Sequence, residues 1–185
     1  HECYETNISY GFKRECMDRV RDKEGTPKGS EGLAAHYFLN YTFGFMSIAC
    51  VYNKFLHVHG CIPRKVLWDK YSTLDELNRS IPDFMWEPRR VCFMVFEMLW
   101  NDPVTGDFWC IYAGARGAYQ IGKKTIDAFL AFVIFQMILA IIRAHQMTHN
   151  GYEPIHQCLV ICVFSATNYE PSYPNHGAAM YHTPD

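Results

Sequence analysis

Two apolar runs near the end of the chain stop abruptly at polar clusters, and they constrain the fold more than any other feature. The first run begins at Ile138 and ends at Arg143-Ala144-His145-Gln146, and the second begins at Leu159 and ends at Ser165 to Tyr169. Both are rich in β-branched residues, and short apolar runs bounded by turn residues are typical of buried strands. Because α/β folds usually build their sites where such strands end, the sequence predicts an α/β fold with a site at these positions.

The rest of the sequence predicts further helices and strands within one domain, residues 1–185. Residues 1–22 have apolar residues at Ile8, Phe12 and Cys16 with charges between them, as an amphipathic helix does. Residues 33–50 fit a helix that passes into a strand. Residues 49–57 fit two strands joined by a turn at Asn53-Lys54, and Ser72 or Thr73 is placed to cap a short helix. Residues 82–88 and 105–117 have loop character. The apolar part of residues 123–142 is shorter than the roughly 20 residues of a membrane span, which favours a buried helix leading into a buried strand.

Composition excludes several classes of protein. Hydrophobic residues make up 49% of the chain and charged residues 19%, which excludes a disordered tail. A formal net charge of −2 gives no indication of nucleic acid or an anionic membrane as a partner. The eight cysteines form no Cys-x-x-Cys pair and no cluster with structural-zinc spacing. Since no secretory signal opens the sequence, we expect reduced, mostly buried thiols and a cytoplasmic or nuclear protein, although an even number of cysteines also suits disulfides in a secreted chain.

Three histidines stand at the ends of apolar runs or at the start of the chain: His1, His59 and His145. Neutral imidazole is the commonest metal ligand among side chains, and together with carboxylate and amide oxygens it suits Mn, Fe or Zn. A histidine after a strand is, however, more often a hydrogen-bonded structural residue than a ligand. The residue types alone therefore leave both interpretations open.

Several short segments, taken in order, form a series of motifs. They are His1-Glu2-Cys3, Tyr10-Gly11-Phe12, Val58-His59-Gly60, Leu99 to Pro103, Ala115-Arg116-Gly117, Arg143 to Gln146, Gly151 to Glu153, Phe164 to Tyr169 and Asn175 to Ala178. The series resembles the C-terminal portion of the catalytic domain in the PPP family of serine/threonine protein phosphatases, which are calcineurin-like metallophosphoesterases. The resemblance extends over nearly the whole chain. It implies a two-sheet β-sandwich flanked by helices, here with the N-terminal strands missing.

The resemblance also implies a role for each matching residue. His1 would be the general acid that protonates the leaving oxygen, His59 and His145 would be metal ligands, Arg116 would hold the phosphate, and Tyr169 would close over the active site. The implied reaction is hydrolysis of phosphoserine and phosphothreonine in proteins by water that two metal ions (Mn, Fe or Zn) activate. Phosphoprotein substrates and regulatory subunits are the implied partners, with no nucleic acid and no membrane.

The sequence departs from the family pattern at several positions. Cys61 stands in place of the second glycine of the His-Gly-Gly motif, Thr167 replaces a proline, and Glu170 follows Tyr169 where many relatives have cysteine. The family's Gly-Asp-x-His-Gly and Gly-Asp-x-x-Asp-Arg-Gly motifs, which supply further metal ligands, do not occur in the chain. We therefore expect an N-terminally truncated fragment with little or no activity of its own.

Two alternative functions remain open. One is a degenerate, non-catalytic phosphatase-like module that binds phosphorylated or regulatory partners, which Cys61 favours. The other is an enzyme of the same chemistry that acts on a dinucleoside polyphosphate, although the Tyr-Gly-Phe and Ser-Ala-x-Asn-Tyr segments favour the protein phosphatases.

Overall fold

The computed structural model of the chain describes residues 1–82, 92–134 and 137–183. These residues form two compact units: unit 1 comprises His1–Ser47 and Pro82–Cys92, and unit 2 comprises Ile48–Ile81 and Phe93–Asp185. One domain over residues 1–185 stays a prediction. Within the described residues, no helix is long and apolar enough to cross a membrane. None of the eight cysteines is in a disulfide.

The described residues of unit 1 form three helices: α1 (Tyr4–Ser9), α2 (Phe12–Arg19) and α3 (Gly29–Phe43). The single helix predicted for residues 1–22 is wrong, because Gly11 adopts a φ of +90° between α1 and α2, which no continuous helix allows. Gly32, His36 and Asn40 are four residues apart on α3 and form its buried face. Asn7 of α1 is buried as well, and its Oδ1 lies 2.8 Å from His36 Nε2. Buried polar side chains of this unit thus satisfy one another's hydrogen-bonding groups.

Unit 2 contains the sheets. In chain order its helices are α4 (Lys65–Trp68), α5 (Leu74–Arg79), α6 (Phe93–Trp100) and α7 (Lys123–Phe132). Its strands are β1 (Ala49–Tyr52), β2 (Phe55–Val58), β3 (Asp102–Pro103), β4 (Cys110–Ala113), β5 (Ala118–Ile121), β6 (Ala140–Arg143), β7 (Tyr152–Ile155) and β8 (Val160–Val163). They form a five-stranded sheet in the order β1-β2-β6-β8-β7 and a three-stranded sheet in the order β3-β5-β4. The α/β class with two sheets and flanking helices is confirmed.

The larger sheet is organised around three parallel strands. β6 pairs in parallel with β2 on one side and with β8 on the other, and β1 and β7 add antiparallel edges. The two apolar runs predicted as buried strands are β6 and β8. The predicted turn between β1 and β2 is also confirmed, since Asn53 and Lys54 have φ of +47° and +65°, as a tight two-residue hairpin requires.

The smaller sheet includes a strand that the sequence analysis missed. Residues 105–117 were predicted as a loop, but β4 forms within them and pairs with β5 from Cys110↔Ile121 to Ala113↔Ala118. The frequent glycines favoured the loop prediction, whereas pairing with β5 and the aromatic cross-strand contact of Tyr112 with Tyr119 favour a strand. The predicted loop at 82–88 lies outside the described residues from 83 onward, as do residues 135–136 between α7 and β6.

Gly60 lies where the loop after β2 passes against the end of α6. Its N–H donates to the Met98 carbonyl at 2.9 Å, and a Cβ at this position would lie 2.7 Å from the Leu99 carbonyl carbon and 2.8 Å from the Leu99 oxygen. Because backbone atoms cannot turn aside, Gly60→Ala should displace the loop that follows His59. We expect it to lower the free energy of unfolding by about 1–3 kcal/mol, as overpacking does.

Urea denaturation measures this effect. Gly114→Ala is the matched control, because a Cβ there would meet only the Tyr112 ring at an ordinary 3.6 Å. Equal stability of the Gly60→Ala and Gly114→Ala variants would contradict the close-approach argument.

Candidate metal and phosphate site

Two histidines meet at the carboxyl edge of the parallel strands. His59 directly follows β2, His145 lies two residues beyond the end of β6, and the Ala144 N–H donates to the His59 carbonyl at 3.1 Å. His145 Nδ1 lies 3.1 Å from His59 Nε2, and the two rings meet edge to face with centroids 4.9 Å apart. Parallel neighbours bring their carboxyl ends to one edge of a sheet, which is why residues far apart in sequence become adjacent here.

The spacing of these two nitrogens fits two ligands on one cation. Imidazole nitrogen lies about 2.0–2.1 Å from zinc, so two such ligands at octahedral or tetrahedral angles are about 2.8–3.4 Å apart. The observed separation of 3.1 Å falls in this range. Within the described residues, no group of three or more His, Cys, Asp or Glu side chains is arranged to hold a metal. Among the described residues the two imidazoles therefore stand as a pair, which is fewer ligands than a complete metal site has.

The protonation state of His145 suits a ligand. Burial, followed by the nearby His59, Arg143 and Arg116 groups, lowers the pKa of His145 to about 3. At neutral pH its ring is therefore uncharged, with one nitrogen lone pair available to a metal or a hydrogen-bond donor.

Arg116 lies beside the histidine pair. It occupies the turn between β4 and β5, its side chain is exposed, and its Nη1 lies 3.3 Å from His145 Nε2. The Trp100 ring at the end of α6 meets His145 edge to face, with centroids 5.4 Å apart, and the Arg116 guanidinium carbon lies 5.9 Å from the same Trp100 ring. An exposed planar guanidinium beside two imidazoles can offer two parallel N–H groups to a phosphate.

Arg143, at the end of β6, is buried beneath the histidine pair. Its Nε donates to the Gly60 carbonyl at 2.6 Å, next to His59, and its Nη1 donates to Gln146 Oε1 at 2.9 Å, next to His145. Its Nη2 contacts Asp102 Oδ1 at 2.9 Å. Sequence reasoning treated Arg143 only as part of a motif. A positive charge at the end of an otherwise apolar strand was the signal that could have identified it as an anchor.

A second buried network supports the loop after His59. Glu97 on α6 is almost fully buried, and its carboxylate accepts hydrogen bonds from the Arg64 side chain at 2.8 Å and from the Arg64 backbone N–H at 2.9 Å. Asn101 donates to the Ile62 carbonyl at 3.1 Å and accepts from the Tyr119 N–H at 2.9 Å. These hydrogen bonds connect the loop after His59 with α6 and β5. A buried polar network within unit 2 therefore supports the site.

Cys61 follows Gly60 and is fully buried. Burial raises the pKa of its thiol to about 12, so it remains protonated at neutral pH. A buried thiol of this kind is neither a nucleophile nor a metal ligand in its protonated form.

The two remaining predicted site residues, Tyr169 and His1, are described by their local contacts. Tyr169 is exposed and its ring meets Phe164 edge to face, with centroids 5.2 Å apart. Its N–H donates to Asn175 Oδ1 at 2.9 Å, which orders the segment after β8. His1 is exposed in unit 1, where its ring lies 6.0 Å from that of Tyr10. The structure therefore brings together His59, His145 and Arg116, and the roles of all five predicted residues stay predictions.

Comparison with known proteins finds relatives that are named serine/threonine-protein phosphatases. No family model matches the chain. Serine/threonine-protein phosphatase BSL2 of Arabidopsis thaliana is 27% identical over 184 residues, covering 97% of this chain and 16% of the relative. Serine/threonine-protein phosphatase T of Schizosaccharomyces pombe is 29% identical over 184 residues, covering 97% and 34%. Serine/threonine-protein phosphatase rdgC of Drosophila melanogaster is 26% identical over 186 residues, covering 96% and 26%.

A solved structure agrees with these relatives. It is a protein serine/threonine phosphatase from Saccharomyces cerevisiae with similarity to human phosphatase PP5, and it superposes with a TM-score of 0.70 at 26% identity, covering 91% of this chain and 46% of that chain. The fold is therefore that of the metallophosphoesterases. The chain is a relative of the PPP serine/threonine protein phosphatases, as its motifs predicted, and it spans between 16% and 34% of the length of these curated relatives.

Proposed function

We propose that the chain forms part of a metal-dependent hydrolase that removes phosphate from phosphoserine and phosphothreonine in proteins. The observation that carries this proposal is the 3.1 Å approach of His145 Nδ1 to His59 Nε2 with Arg116 beside it. The phosphatase relatives support the reaction type and the phosphoprotein substrates. Regulatory subunits and a cytoplasmic or nuclear location belong to the same proposal.

His59 and His145 would hold a Mn, Fe or Zn ion through Nε2 and Nδ1. Such an ion, when bound with a second one nearby, supplies an activated water and polarises the phosphoryl oxygens. Neutral His145 can present its lone pair at physiological pH, because its pKa is lowered to about 3. Two imidazoles are only part of the ligand set that two ions need, so we expect residues 1–185 alone to hydrolyse phosphopeptides slowly or not at all.

The other residues would bind substrate and move a proton. Arg116 donates paired N–H groups to the phosphate oxygens, which fixes the phosphoryl group beside the histidines. His1 protonates the departing serine or threonine oxygen, and Tyr169 covers the bound phosphate. The reaction requires no covalent intermediate between the enzyme and the phosphate.

The test is hydrolysis of a phosphothreonine peptide by the full-length gene product in Mn²⁺. His145→Asn removes the imidazole while tolerating the φ of +57° at this position, and Arg116→Ala removes the phosphate fork. Each should reduce kcat/KM by about 100-fold or more, the scale on which one electrostatic stabiliser contributes. Arg14→Ala is the control, because Arg14 is an exposed arginine that pairs with neighbouring Asp18 on α2.

Unchanged hydrolysis in the His145→Asn variant would contradict the proposal. Tight binding of the phosphopeptide without turnover by the full-length product would favour the alternative of a non-catalytic phosphatase-like module. Faster hydrolysis of a dinucleoside polyphosphate than of the peptide would favour that substrate class.

A further inference from the structure

The backbone that carries His145 is strained. The Gln146 N–H donates to the Ala144 carbonyl at 2.6 Å, which closes a three-residue turn with His145 at its centre, and His145 has a φ of +57°. Turns closed by this bond around a residue with positive φ are rare. A non-glycine residue keeps such a conformation only where its surroundings hold it there. Something in the surrounding structure must therefore stabilise this turn.

The side chain of Cys162 contacts both ends of the turn. Cys162 lies on β8 directly opposite Arg143 of β6 and is almost fully buried. Its Sγ lies 3.2 Å from the Ala144 carbonyl oxygen and 3.5 Å from the Gln146 carbonyl oxygen. The thiol has one proton, which these two carbonyls share as acceptors. The two carbonyls flank His145 on either side in sequence.

Arg143 holds the same turn from its other side. Its Nη1 donates to Gln146 Oε1 at 2.9 Å and lies 3.6 Å from Cys162 Sγ. The turn is thus enclosed by a thiol that meets its carbonyls and a guanidinium that meets its last side chain.

The direction of the His145 side chain depends on this enclosure. The backbone angles at His145 set where its Cβ points, and the ring then brings Nδ1 to 3.1 Å from His59 Nε2. Ligating groups must be held to within about 0.5 Å of their productive positions. If the turn relaxed to an ordinary negative φ, the ring would swing away from His59 and the two nitrogens would lose their common direction.

We propose that Cys162 is a positioning residue for cation binding, because its thiol holds the turn that directs His145 toward His59. This inference rests on the metal-ligand role proposed above for the two histidines. Cys162 itself does not touch the cation but acts through the backbone of residues 144–146. Loss of the thiol donor should therefore weaken cation affinity beyond any loss of stability.

The test compares two variants of equal shape, Cys162→Thr and Cys162→Val. Both are β-branched and suit a strand, but only threonine keeps a donor for the two carbonyls. The readout is the Co²⁺ affinity of the full-length gene product from visible absorption, corrected with the His59→Asn/His145→Asn double variant for binding by other thiols and imidazoles. We expect the threonine variant to bind Co²⁺ within about threefold of the wild type and the valine variant to bind about 10–100-fold more weakly, as supporting residues of metal sites do.

The possible results separate this inference from the proposed function. Equal Co²⁺ affinity of the two variants, with the wild type binding, would overturn the role of Cys162 and leave the metal site standing. Wild-type binding no stronger than that of the double-histidine variant would overturn both. If the valine variant fails to fold, the smaller pair Cys162→Ser and Cys162→Ala makes the same comparison, and a weaker alanine variant would support the inference.

Discussion

Replacing Arg143 with methionine should lower the free energy of unfolding by about 3–5 kcal/mol, the usual effect of breaking a buried ion pair. The Arg143 side chain is fully buried, and it pairs with Asp102 at 2.9 Å. Methionine keeps an unbranched apolar stem, but it is shorter than arginine and offers no donor. The Gly60 carbonyl, which accepts from Arg143 at 2.6 Å, and the Asp102 carboxylate would each lose a partner, and unpaired buried acceptors are costly.

Urea denaturation at neutral pH checks this expectation. Arg14→Met is the matched control, because Arg14 also pairs with an aspartate, but its side chain is 78% exposed. Exposed pairs of this kind contribute about 0.2–1 kcal/mol, so the two arginine variants should differ several-fold. If water replaced Arg143 as the partner of the Gly60 carbonyl and the Asp102 carboxylate, Arg143→Met would lose as little stability as Arg14→Met. That result would contradict the argument.

A double-mutant cycle identifies the part of this effect that comes from the ion pair. Asp102→Asn removes the charge that Arg143 faces, so the double variant should recover part of the stability lost in Arg143→Met. Strict additivity of the two single effects would mean that the carbonyl bonds, rather than the ion pair, account for the loss.

Replacing Glu97 with glutamine should have the second largest effect, a loss of about 2–4 kcal/mol. The Glu97 side chain is 2% exposed, and its Oε1 lies 2.6 Å from Arg64 Nη2. Glutamine has the same shape, but one of its two terminal groups is an N–H₂ donor. This group would face the Arg64 guanidinium and backbone N–H, which donate hydrogen bonds to the carboxylate of Glu97. The expected loss is somewhat below that of Arg143→Met, because the side-chain oxygen of glutamine can still accept from one of these donors.

Thermal and urea unfolding measure this loss, with Glu15→Gln as the control. Glu15 is an exposed carboxylate that pairs with Arg19 one turn further along α2, so its replacement should leave the transition unchanged within error. A Glu97→Gln variant as stable as the control would mean that Arg64 finds solvent without loss, and the framework beneath the His59 loop would then carry little energy.

Local chemistry made several features predictable from sequence. The apolar runs that became β6 and β8 are long enough for one buried strand each, and the polar residues that stop them mark the strand ends. Asn53-Lys54 tolerates the positive φ of a tight turn. Thr73 caps α5, since its hydroxyl oxygen accepts from the Glu76 N–H at 3.2 Å. Each of these depends on residues within a few positions of one another.

Local patterns misled in two places, once because of a partner strand and once because of the backbone conformation of a single glycine. Residues 105–117 have the glycines of a loop, but β4 forms because β5 is available to pair with it. Residues 1–22 have a helical pattern, but the left-handed backbone at Gly11 divides it into two helices. Periodicity records which face of an element is apolar and cannot record a partner strand.

The sequence by itself determined the class of fold, the ends of the buried strands and the relationship to serine/threonine protein phosphatases. Only the tertiary structure decided that His145 Nδ1 faces His59 Nε2 at 3.1 Å, that Arg143 is buried near both, and that Cys162 contacts the turn that carries His145. These are contacts across parallel strands, and their register depends on packing over the whole sheet. No spacing along the chain encodes that register, because the segments that meet are joined by connections whose length does not set their alignment.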